Sequence, residues 1–105
     1  MYVPDVAFVR AGRMPADITT VLTVVPDLVV EVVSPTDRMS DLSDKVANYL
    51  DAGVRLVWVV LPNRGQVHVY VPEQPNIVRV VHAHEELDGG DVLPGFRLPL
   101  SVVFR

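Results

Sequence analysis

The chain has 105 residues, half of them apolar, a net charge of -4 and no cysteine. That describes one domain, residues 1–105, with a modest core and without disulfides, thiolate nucleophiles or cysteine-held zinc. The longest apolar runs fall far short of a membrane span and no signal peptide is visible, so a cytoplasmic protein with no membrane partner is expected.

The opening, Tyr2 to Val9, reads as a strand with Pro4 near its start. Ala11 to Ala16 carries Gly12 and Pro15 and reads as a loop. Val21 to Val25 is β-prone and is broken by Pro26-Asp27. Leu28 to Val33 is a second run of strand formers around one charge, Glu31, and Ser34-Pro35 ends it. From Asp41 to Ala52 the spacing changes. Leu42, Val46, Tyr49 and Leu50 make one apolar helical stripe. Asp41 suits an N-cap, and Gly53 follows the end as a C′ glycine does. Val54 to Leu61 is almost wholly apolar, as in a strand buried on both faces. Pro62 to Gly65 is a turn, and Gln66 to Val71 alternates and is expected to pair back as a hairpin. Ile77 to His82 is another strand and Gly89-Gly90 another loop. Leu93 to Phe96 leads into an apolar tail. The order strand, strand, helix, strand, strand, strand predicts an α/β or α+β sheet domain.

One constellation could carry chemistry. Side chains alternate along a strand, so Asp27, Val29, Glu31 and Val33 share a face, with Leu28, Val30 and Val32 on the other. Glu31 is then a carboxylate in a strand that is otherwise apolar. Burying it unpaired costs several kcal/mol or forces protonation. A cation, an arginine or a metal ion must offset that. Lys45 is the only lysine beside eight arginines. It lies about 60° round the helix from Leu42, at the edge of the apolar stripe, from which it could reach the strand face. Two carboxylates and an ammonium group suit phosphodiester hydrolysis, because carboxylate oxygens hold Mg²⁺ and the ion activates a bound water. Each signal has a bland reading beside it. Pro-Asp pairs are common turns, strand glutamates often pair with arginine, and helix lysines often only snorkel. His82 and His84 share a strand face, but no third zinc ligand accompanies them. Trp58 and Tyr70 read as packing residues.

The runs "VPDVAFV" from Val3, "PDLVVEVVSP" from Pro26, "AGVRLVWVVLP" from Ala52 and "LPGFRLPL" from Leu93, with Lys45 and Tyr49-Leu50 between them, resemble the Uma-two family of restriction-endonuclease domains in the PD-(D/E)XK nuclease superfamily. The resemblance covers nearly the whole chain. It implies a restriction-endonuclease-like mixed β-sheet, with one main helix after the second strand and a C-terminal hairpin and strands. It further implies an endonuclease that hydrolyses DNA with Mg²⁺ or Mn²⁺. Asp5 and Glu31 match the acidic, metal-binding positions, and Lys45 matches a catalytic lysine moved from the strand, where Val33 stands, to the helix. Asp27 matches an auxiliary position. Leu61 stands where the family often has aspartate, and the family's opening helix and first strand have no counterpart before Asp5. A symmetric homodimer is therefore expected. So is an alternative function, a catalytically incomplete oligomeric remnant of the nuclease fold. A small β-rich module binding a protein partner is a third reading.

Overall fold

Valine-rich runs pair into a sheet whose central strand is apolar on both faces and covered on both. The computed structural model describes residues 4–11 and 24–104. Over these residues the order is β1 (Val6–Phe8), β2 (Leu28–Val32), α1 (Met39–Asp51), β3 (Leu56–Leu61), β4 (Gln66–Tyr70), β5 (Arg79–His82), β6 (Glu86–Gly89), β7 (Leu93–Pro99) and α2 (Leu100–Val103). The start of the first expected strand at Tyr2–Val3, most of the expected loop Ala11–Ala16, and Val21–Thr23 of the β-prone run lie outside the described residues.

The first five strands form one sheet in chain order. β1 pairs antiparallel with β2, β2 parallel with β3, and β4 and β5 follow antiparallel. The parallel β2–β3 pair needs a crossover, and α1 supplies it. Val57 and Val59 are fully buried, while Leu56 and Trp58 point to the other face at 4% and 6% exposure. β3 is therefore covered on both sides, as its unbroken apolar run predicts.

On one side Leu42, Val46, Tyr49 and Leu50 of α1 pack on Val29, Val57, Val59 and Leu61. On the other, Leu28, Leu56, Trp58, Val67, Val69 and Val81 meet Leu87, Val92 and Leu100. Each such aliphatic side chain, fully buried, contributes roughly 1.5–3 kcal/mol. Trp58 stacks on Phe96 of β7 with centroids 6.0 Å apart. Tyr70 packs half-buried against the helix-side core, and burial pushes its phenol pKa up.

Three expectations are corrected. The helix begins at Met39 with Arg38 as N-cap, so Asp41 lies inside the first turn instead of capping it. The cause is a tight loop. Asp37 accepts the Ser34 N–H at 2.7 Å, and the chain re-enters helix at once, with the Leu42 N–H bonded to the Arg38 carbonyl. The expected strand Ile77–His82 starts at Arg79, leaving Ile77 and Val78 exposed. The tail is no simple extension either. β6 and β7 form a separate two-stranded sheet with a register shift at Asp88/Gly89, and the chain ends in the short helix α2. Gly89 permits the shift, because a Cβ there would collide with the backbone of Leu93.

The end of α1 follows its sequence closely. The Gly53 N–H bonds to the Leu50 carbonyl and the Val54 N–H to the Tyr49 carbonyl. Those are the two bonds of a Schellman motif. Gly53 has φ +104°, a conformation that a side chain resists. Gly53→Ala is expected to lower unfolding stability by about 1–2 kcal/mol. In urea titration the midpoint should fall with an unchanged m-value; an unchanged midpoint would refute the strain argument.

Candidate functional site

Glu31 is the fourth residue of β2 and sits beside Val59 of β3. Its register places it on the helix-side face with Val29, under α1. It is 5% exposed. Two side chains of α1 meet it. The Tyr49 hydroxyl donates a buried 2.6 Å hydrogen bond to Glu31 Oε1. Lys45 Nζ stands 3.9 Å from Glu31 Oε2, an ion pair longer than a hydrogen bond. The Lys45 side chain is about one-third exposed (34%), so the pair is partly screened by water. Lys45 and Tyr49 are one helical turn apart and therefore face the same strand position. Reading Tyr49 only as part of the apolar stripe missed this bond. The spacing of Lys45 and Tyr49 over a strand glutamate was the signal for it.

Asp5 precedes β1. The β1–β2 ladder runs only from Val6↔Val30 to Phe8↔Leu28, so Asp5 stands one residue outside it, in a bend. Asp5 is exposed, and its Oδ2 accepts the Val32 N–H at 2.7 Å, just past the last strand pair.

Asp27 is placed differently. It is 1% exposed, and its Oδ2 accepts the Arg10 N–H at 2.9 Å. Its carbonyl accepts the N–H groups of Arg55 and Leu56, and its own N–H bonds to the Phe8 carbonyl. Asp27 thus ties the exit of β1 to the entries of β2 and β3. Four strand residues, about 13 Å, separate it from Glu31. Val33, at the superfamily's usual lysine position, packs partly buried against the helix-side core, and Leu61 is buried in it.

His68 of β4 lies on the same face, in the row Glu31, Val59, His68, two strands from Glu31. Burial lowers its pKa, and nearby Arg64 lowers it further. His82 and His84 stack on each other with ring centroids 6.1 Å apart. Among the described residues no group of three or more histidine or acidic side chains is gathered as a metal site.

A mixed sheet with a parallel β2–β3 pair, a crossover helix over it and the Glu31–Lys45 pair between them defines an α+β sheet domain. The sequence pattern of the Uma2 family, described as "Putative restriction endonuclease", matches residues 1–101, and the chain belongs to that family. The crystal structure of a protein from Anabaena variabilis, titled a "putative nuclease", has the same fold, with a TM-score of 0.84 at 20% identity. The match covers 98% of this chain and 59% of that one. No curated protein matches in sequence. No described helix is long and apolar enough to cross a membrane.

Two outcomes are expected from these contacts. Lys45→Met leaves the buried carboxylate short of a cation and should cost about 1–2 kcal/mol, whereas Glu31→Gln removes the charge and should cost less or stabilise. Chemical denaturation of both variants checks the order; a greater loss in Glu31→Gln would contradict it. For His68, the folded pKa lies below the unfolded value. Its contribution is therefore fully present above pH ~6.5 and is lost as pH falls through the lowered folded pKa. His68→Phe should flatten the stability profile in that acidic window. An identical profile in thermal melts would remove His68 as a cause.

Proposed function

We propose that the chain is a metal-dependent endonuclease domain that hydrolyses DNA phosphodiester bonds, with Asp5, Glu31 and Lys45 as its catalytic residues. The observation that carries this reading is the helix ammonium of Lys45 at 3.9 Å from the buried strand carboxylate of Glu31. Family membership supports it. The donor set fits a hard divalent cation. Mg²⁺ is commonly held by one or two carboxylates, with waters and phosphate oxygens completing its shell. Asp5 accepts the Val32 N–H through Oδ2, which brings its carboxylate next to the backbone of Glu31. Glu31 Oε2 and Asp5 Oδ1 are the oxygens that would hold Mg²⁺ or Mn²⁺. When bound, such an ion polarises the phosphoryl group and acidifies a water.

The side chains divide the remaining work. Lys45, on the partly exposed rim of the site, orients the attacking water and neutralises charge growing on the phosphate. Glu31, held in the core, cannot swing away as the substrate arrives. Asp27 acts at a distance by ordering the strand entry. The cytoplasm is the compartment this reading expects, and DNA the partner. The exposed Val6 on β1 and Val32 at the end of β2 give the same reading an apolar surface for a symmetric homodimer.

One observation favours a second reading, a catalytically incomplete binding remnant. Asp5 already uses Oδ2 to satisfy the sheet's edge. Plasmid cleavage decides between the two. The nuclease reading expects nicking that requires Mg²⁺ or Mn²⁺ and falls by about 10²–10³-fold or more in Glu31→Ala and in Lys45→Ala. Size-exclusion chromatography of the same preparation should show a dimer. Cleavage that survives both substitutions removes these residues from the mechanism. No cleavage with either ion leaves the remnant, and a clean monomer ends the dimer.

A further inference from the structure

We propose that Tyr49 is a positioning residue for Glu31 that leaves Oε2 as the one oxygen offered to a cation, and so biases the site toward small octahedral ions and against Ca²⁺. The inference rests on the metal-site reading above. The buried Tyr49 hydroxyl holds Oε1 at 2.6 Å. The ring that carries it is 8% exposed and packs in the helix-side core, so the hydroxyl cannot drift. Lys45 flanks the other oxygen from the more open side. The two oxygens of Glu31 are thus in different situations, one committed to the core and one turned toward the ammonium.

That asymmetry has a chemical consequence. A carboxylate gripping an ion through both oxygens spans an angle well short of an octahedral right angle. Ca²⁺, with six to eight ligands and flexible geometry, accepts such a grip, and Mg²⁺ resists it. A carboxylate fixed through Oε1 is left to bind through Oε2 alone, which suits the stricter ion. Groups that hold a metal ligand from behind commonly change metal affinity by about 10–100-fold when removed.

Tyr49→Phe keeps the ring and deletes only the hydroxyl. Mn²⁺ binding to the purified chain is read from the paramagnetic resonance signal of free aqueous Mn²⁺, and Ca²⁺ is then titrated as competitor. With the far-UV spectrum unchanged, the variant should bind Mn²⁺ about tenfold more weakly, and Ca²⁺ should compete better relative to Mn²⁺. Loss of packing alone would not change the ratio of the two ions. Should Tyr49→Phe fail to fold, Tyr49→Leu removes the same hydroxyl, leaves the Glu31 carboxylate intact and must shift the ratio the same way. Mn²⁺ affinity and ion ratio both equal to wild type would overturn the role of Tyr49 and leave the nuclease reading standing. A wild-type chain that holds no Mn²⁺ would overturn both.

Discussion

A carboxylate buried in the middle of a β-strand is the constraint around which this domain is arranged. Glu31 is almost wholly removed from water, and an ion so placed is unfavourable by several kcal/mol unless it is bonded and paired. A strand cannot satisfy a side chain on its own face. The partners must come from the layer above, and α1 supplies both: a hydroxyl from Tyr49 and an ammonium from Lys45. For those two groups to arrive together the helix must cross β2 at a fixed rotation and depth. Its apolar stripe sets the rotation, and the Schellman turn at Gly53 directs the chain down into β3.

The rest of the fold bears on that crossing. The parallel pairing of β2 with β3 demands a crossover connection. β3 is covered on both faces and gives the sheet a rigid centre, against which α1 packs on one side and Leu87, Val92 and Leu100 on the other. Asp27 joins the exit of β1 to the entries of β2 and β3, so the face that carries Glu31 has a defined register. An ionisable core is poor economy for stability alone, because an apolar residue would pack there without desolvation cost. That conflict between local chemistry and packing is characteristic of sites kept for function.

Much of this was legible in the residues. The alternation through Val29, Glu31 and Val33 grouped the glutamate with them on one strand face, and the stripe Leu42, Val46, Tyr49, Leu50 identified the face of α1 that packs on the sheet; that these two faces meet came from the structure. β3 was readable from its unbroken apolar run. The helix start was harder, because capping by Asp41 and a turn closed by Asp37 use the same residue type, and only the hydrogen bond to Ser34 distinguishes them. β6 was missed because Glu86–Gly89 has one buried leucine and two acidic residues, with no periodic signal. The role of Tyr49 was hidden because an aromatic ring in an apolar stripe accounts for itself before its hydroxyl is considered. The different placements of Asp5 and Asp27 depend on pairing between strands distant in sequence, which neither Pro-Asp pair reveals.

The central claim is that Glu31 and Asp5 meet around one divalent cation, beside Lys45. Crystals of the chain soaked in Mn²⁺, with data collected at the manganese absorption edge, test it most directly. The account predicts an anomalous peak within bonding distance of one carboxylate oxygen from each residue. Manganese seated elsewhere, with the Glu31 and Asp5 carboxylates turned away from each other, would contradict it.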